Sequence, residues 1–263
     1  MGLIAVTGAT GRVGSLVADA LRSRGVTQRL LVRDPSKVTG FDDVVASSYD
    51  EPAGLDGVST LFMVSAAEHP DRVGQHLRFL DAAAAAGVSR VVYTSFLGAS
   101  PDATFTLARH HWATEERLAS LGIPYVALRD SLYADFLPLM AGADGVIRGP
   151  AGDGHVAPVA IADVAAAAVA ALLDDAVAGT VDLTGPRLWT YAEMAALAGF
   201  TYVDETEDEA YASREPYGAP DWEVEGWVTS YLAVRAGELA VVSDGVQRLT
   251  GRPATPLEDV LRG

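Results

Sequence analysis

The chain runs to 263 residues with a formal net charge of −16 and no cysteine. That charge argues against nucleic acid or an anionic membrane surface as partner, since both are bound through clustered Lys and Arg. The missing thiol excludes disulfides, a nucleophilic cysteine and Cys-held zinc, and scattered histidines without carboxylate spacing leave no metal site. Apolar residues make up 49% of the chain without any long uninterrupted run, so a soluble globular protein of the cytoplasm is expected. All 19 basic residues are arginine but one, Lys37.

The opening "MGLIAVTG" has no basic segment and reads as a first strand rather than a leader. Short apolar runs recur at 3–7, 29–32, 43–47, 60–64, 90–94 and 124–128, the pattern of strands buried on both faces. Helical stretches at about 12–24, 71–86 and 103–121 lie between them and stop at Gly25, "AGVS" and "LGIP". This alternation predicts an α/β fold: a Rossmann-type doubly wound parallel sheet, helices on both faces, and a small C-terminal substrate lobe. Beyond it, 154–175 reads as a short strand and an Ala-rich helix capped by Asp163, and 179–185 as another strand. "TYAEMAALAG" is a small helix whose Thr190 and Glu193 form a capping box. The acidic stretch 204–223 is expected to be a solvated or mobile segment, with helices near 224–238 and 239–250. Residues 1–130 with about 158–185 are expected to bind the dinucleotide, and about 131–157 with 186–263 to form the lobe.

"TGATGRVG" joins the first strand to the first helix. A helix N-terminus offers unpaired amides and a partial positive charge, which together suit an anion. Gly8 allows the tight turn, Gly11 lets the backbone approach a pyrophosphate, and Gly14 lets helix pack on strand. The main chain of Gly11, Arg12, Val13 and Gly14 and the hydroxyl of Thr10 complete the expected cofactor turn. The second strand ends in "LLVRDPSK". Arg33 and Lys37 there suit a 2′-phosphate and favour NADP(H); NAD(H) is the alternative, with Asp34 on the ribose. Ser65 and Ala66 after the fourth strand, and Thr94 and Ser95 at the end of the fifth, are the expected neighbours of the nicotinamide ribose and diphosphate.

These blocks resemble the NmrA-like branch of the atypical short-chain dehydrogenases, above all its bacterial NAD(P)H:quinone oxidoreductases. The residues that carry the resemblance are "TGATGRVG", "LVRDPSK", "VVYTSFLGAS", "HWATEERLASLGIPYVALRDSLYADF", "IADVAAAAVAALL" and "GTVDLTGPRLWTYAEMA". It implies the fold and an NAD(P)(H) cofactor. Two features depart from it: the adenine-contacting Asp of many relatives is Ser48 here, and no Tyr-x-x-x-Lys exists because the single lysine lies at 37. The dyad that lowers a tyrosine's pKa for proton transfer is therefore missing.

A related lineage of phenylpropanoid-ether reductases carries a catalytic Lys eleven residues before the glycine that ends the helix. That place is His111, on the helical face of Leu118, and the resemblance implies that it donates a proton or hydrogen bond to the substrate oxygen; a structural hydrogen bond is the alternative. His110 points about 100° away. Phe96, Tyr133, Phe136, Trp222, Trp227 and Tyr231 are expected to flank a flat hydrophobic small-molecule substrate, core packing being the alternative for each. The implied activity is hydride transfer to a quinone or related aromatic carbonyl. The alternatives are reduction or hydroxylation of an aromatic polyketide, or a nucleotide-sensing regulator without chemistry. A monomer or homodimer is expected.

Overall fold

The computed structural model describes residues 2–262. In chain order the first elements are β1 (Leu3–Thr7), α1 (Arg12–Ser23), β2 (Gln28–Val32), β3 (Val44–Ala46), β4 (Val58–Met63), α2 (Arg72–Ala85), β5 (Arg90–Phe96), α3 (Thr106–Leu121) and β6 (Tyr125–Asp130). There follow β7 (Val146–Gly149), β8 (His155–Val156), α4 (Ile161–Leu173), β9 (Gly179–Leu183), β10 (Trp189–Thr190) and α5 (Tyr191–Leu197). The chain continues through β11 (Thr201–Asp204), α6 (Glu207–Arg214), α7 (Asp221–Arg235), α8 (Gly245–Thr250) and α9 (Leu257–Val260). Seven strands share one sheet in the order β3-β2-β1-β4-β5-β6-β9, and the pairings from β3 through β5 are parallel. This is the doubly wound Rossmann arrangement, with its order reversing between β1 and β4. Among the described residues no helix is long and apolar enough to cross a membrane.

Two compact units divide the chain. The first takes residues up to Ser95, His111–Arg129 and Ile161–Val181; the second takes Phe96–His110, Asp130–Ala160 and the residues from Asp182 onward. The division departs from the expected one at 96–110. Phe96, Leu97, Ala103, Phe105 and Ala108 share one apolar cluster with Tyr191 and Tyr231, which places that segment in the second unit.

In the first unit, Phe79, Leu80 and Ala83 of α2 and Leu118 of α3 pack against Leu61, Val91 and Tyr93 of the sheet. Helix α1 packs with α4, whose run of alanines permits close approach. Asp163 is not the cap of α4, as expected from sequence; it lies inside the first turn and is fully buried. The other end of α4 is closed by Arg90, whose guanidinium donates to the carbonyls of Ala171, Asp174 and Val177 at 2.7–3.1 Å. Ala171 lies in the last turn of α4, whose carbonyls the helix leaves without an intrahelical partner.

The second unit refines two expectations. The acidic stretch is mostly exposed, as expected of a solvated surface, and Glu207–Arg214 within it form a helix, α6, because Thr206 and Glu209 form a capping box and Arg214 pairs with Glu205 at 3.0 Å while both are buried. The last helical run is shorter than expected, with helix only over Gly245–Thr250. The box at Thr190 and Glu193 on α5 is present as read.

Candidate functional site

Ligands of doubly wound sheets bind beyond the carboxyl ends of the strands where the order reverses. Here that is the turn after β1 and the segment after β4. Gly8 adopts φ +62°, and its carbonyl accepts the Gly11 amide at 2.8 Å. Gly11 is the N-cap of α1, and among the described residues no side-chain hydrogen bond caps the helix there, so the amides of Val13 and Gly14, which have no intrahelical acceptor, suit an anion. Val13 and Gly14 are buried while Thr10, Gly11 and Arg12 are exposed. A Cβ on residue 14 would lie 2.2 Å from the Gly8 carbonyl oxygen, so the close turn exists only with glycine there. This cradle fits a dinucleotide diphosphate.

Five side chains lock the segment after β4. The Thr7 hydroxyl accepts the Val64 amide at 2.9 Å, and Thr94 Oγ1 accepts the Ser65 amide at 2.7 Å. His76 Nε2 accepts the Ala66 amide, and Arg72 Nε donates to the Ala66 carbonyl, both at 2.8 Å. Tyr49 ties the two walls together: its hydroxyl meets Thr7 Oγ1 at 2.9 Å and donates to the Val64 carbonyl. Burial pushes this phenol up, so it stays a protonated donor. Tyr49, Arg72 and His76 were not singled out from sequence. No motif marks them, and their partners lie 6–42 residues away in the chain.

His111 is 5% exposed on α3. Its Nε2 lies 3.2 Å from Arg72 Nη2 and its Nδ1 2.9 Å from the Tyr93 hydroxyl. A guanidinium only donates, so Nε2 accepts and the proton sits on Nδ1, toward Tyr93. His76 follows the same logic: Nε2 takes the Ala66 amide and Nδ1 donates to Thr114 Oγ1 at 2.8 Å. Ser95 is fully buried and donates to Glu115, which holds Arg129 in an ion pair at 2.6 Å.

At the end of β2, Arg33 and Lys37 are exposed, and among the described residues neither side chain makes an ion pair. Asp34 turns back on its own chain, accepting the Ser36 amide at 3.1 Å and the Ser36 hydroxyl at 2.6 Å, which holds its carboxyl below the usual range. Ser48 is half-buried and accepts the Glu51 amide at 2.9 Å.

The six aromatics do not form one wall. Phe96 and Tyr231 are closed into the core of the second unit, Phe96 edge-on to Phe105 at 5.0 Å and Tyr231 stacked on Tyr191 at 4.7 Å. Trp222 and Trp227 are half-buried on α7, and Trp227 meets Tyr217 edge-on at 6.0 Å. Only Tyr133 and Phe136, in edge contact at 5.5 Å, line a cavity of about 170 Å³ within this unit. Tyr191, which no motif singles out, lines it as well.

Parallel topology, a glycine cradle at the switch point and cations after β2 define a Rossmann-type dinucleotide-binding protein. The chain belongs to the NAD(P)H-binding family, whose model matches residues 8–175, in keeping with its resemblance to the NmrA-like atypical dehydrogenases. It is 34% identical over 277 residues to quinone oxidoreductase 2 of Escherichia coli, covering 98% of this chain and 96% of that one. It is equally 34% identical over 275 residues to the (4-alkanoyl-5-oxo-2,5-dihydrofuran-3-yl)methyl phosphate reductase of Streptomyces griseus, with the same two coverages. The crystal structure of an NADPH-dependent quinone oxidoreductase from Escherichia coli complexed with NADPH superposes with a TM-score of 0.88 at 32% identity, over 98% of each chain.

Proposed function

We propose that the chain is an NADPH-preferring reductase of quinones and related conjugated carbonyl compounds. The observation that carries this reading is the glycine cradle at the β1–β4 switch point in a chain 34% identical, over nearly its whole length, to a quinone oxidoreductase. The furanone named for the second relative shares one feature with a quinone: a carbon–carbon double bond conjugated to a carbonyl. Such a carbon accepts hydride because the charge passes to the carbonyl oxygen, and one solvent proton completes the reduction. Bound NADPH supplies the hydride. The chain's own work is to hold the diphosphate at Gly8–Gly14, fix the 64–66 segment through Tyr49, Thr94, Arg72 and His76, and so set the geometry of transfer. An already electrophilic acceptor does not need the missing Tyr-x-x-x-Lys acid.

Purified protein is expected to consume NADPH when 1,4-benzoquinone or a naphthoquinone is added, giving a product heavier by two hydrogens. A product heavier by one oxygen would make it a hydroxylase, and no turnover with any quinone or unsaturated lactone would overturn the reading.

His111 acts in this scheme as a positioning residue, since its proton faces Tyr93 and its lone pair holds Arg72 against Ala66. His111→Ala removes the acceptor of the Arg72 guanidinium and the donor to the Tyr93 hydroxyl, both buried, a cost of about 2 kcal/mol, read as a fall of roughly 4–8 °C in Tm. The KM for NADPH is expected to rise while kcat at saturation changes by less than about threefold. A kcat loss beyond about a hundredfold with an altered pH profile would instead make His111 the direct proton donor.

A further inference from the structure

The cavity of the second unit has a built character. Its apolar walls include Leu137, Met140, Val156, Met194 and Leu257, drawn from four separate segments. One wall is rigid: Tyr191 stacks on Tyr231 at 4.7 Å and on Tyr202 at 5.6 Å, and Tyr202 is anchored by the Ala151 amide at 3.0 Å. The two methionines on other sides can adapt to an occupant. At about 170 Å³ the space is close to that of an engineered apolar cavity of roughly 150 Å³ that binds benzene.

Polar groups around it are few and mostly engaged. Tyr133 donates to Asp130 at 2.7 Å, and Ser230 donates to the Trp227 carbonyl at 2.7 Å. Tyr191 differs. The residue is 1% exposed, burial pushes its phenol well above the usual range, and among the described residues no hydrogen bond reaches its hydroxyl. A buried phenol ordinarily finds a partner.

We propose that this cavity is a binding site for a single six-membered aromatic or quinonoid ring carrying one oxygen, which pairs with the Tyr191 hydroxyl. The ring fills the apolar space and stacks against a wall that loses no freedom on binding. The oxygen supplies what Tyr191 lacks. Two sources share this chemistry: the ring of the reduced substrate, and a separate phenolic ligand. Binding itself does not depend on the reductase reading, so the two can fail separately.

Calorimetry with phenol and with toluene tests the site. Both are expected to bind the intact protein saturably, phenol more tightly. In Tyr191→Phe the phenol advantage falls by about fivefold, the worth of one net hydrogen bond, while toluene binding is unchanged. Met194→Trp fills the space and removes binding of both; Ala134→Leu, a smaller filling of the same wall, weakens both by at least about fivefold and serves where the tryptophan variant fails to fold. Competition between phenol and 1,4-benzoquinone in turnover identifies the substrate ring as the occupant, and turnover indifferent to phenol identifies a separate ligand. No saturable binding of either probe, or binding that neither filling variant weakens, overturns the proposal.

Discussion

Gly14→Ala is expected to abolish NADPH binding, raising the dissociation constant by more than about a hundredfold, a loss of roughly 2.7 kcal/mol or more. A Cβ at this position would stand 2.2 Å from the Gly8 carbonyl oxygen, 2.5 Å from its carbon and 2.9 Å from the Thr7 oxygen. All three are main-chain atoms, so no rotamer change relieves the contact. Either α1 moves off β1 or the turn after β1 opens, and both displace the amides that would meet the diphosphate. Gly11→Ala is the graded comparison. There the new Cβ lies 3.2 Å from the Gly8 oxygen, a contact that a shift of a few tenths of an ångström relieves. Its effect on NADPH affinity is expected to be at most about tenfold, with Tm within about 2 °C of the parent. Calorimetric titration with NADPH and a melting curve on each variant check the ranking. Equal affinities in Gly14→Ala and the parent would remove this turn from the cofactor site.

The glycine turn was legible in the sequence because glycine spacing after a buried strand has a backbone meaning that holds whatever lies elsewhere, whereas the ranking of Gly14 over Gly11 needs the Cβ distances. The sheet strands were legible for a similar reason. Strands buried on both faces are near-continuously apolar, and β5, with Val91–Tyr93 at its centre, is buried throughout. The acidic stretch is solvated as its composition implies, but the helix within it was not read because composition outweighed a local signal. Thr206 and Glu209 repeat the spacing that marked Thr190 and Glu193, and both pairs cap helices. The surroundings of His111 were not legible. Tyr93 is 18 residues away and Arg72 is 39, and nothing local says which buried polar groups will converge. Among the aromatics, residue type does not tell a cavity wall from core. Tyr231 and Tyr191 stack on each other, yet only Tyr191 lines the space.

Replacing Arg33 and Lys37 together with alanine is expected to weaken NADPH by about a hundredfold and leave NADH within about threefold. Charge-assisted hydrogen bonds contribute about 1.5–3 kcal/mol each, and the lower end applies because both side chains are exposed and screened. Each single variant therefore takes about tenfold. The two cations stand beside one carboxylate, Asp34, whose oxygen is already taken by the Ser36 amide and hydroxyl. An acid that reads NAD grips the ribose 2′-hydroxyl, and here that acid caps a short turn over Pro35–Lys37 instead. Its charge opposes a 2′-phosphate, so Asp34→Asn is expected to strengthen NADPH by a few-fold and leave NADH unchanged. Raising the salt concentration should narrow the NADPH advantage of the parent and have no such effect in the double variant. Parallel KM measurements for both nicotinamides decide the matter. Equal losses for NADPH and NADH in the double variant, or loss of NADH alone in Asp34→Asn, would assign the ribose to Asp34 and the preference to NAD(H).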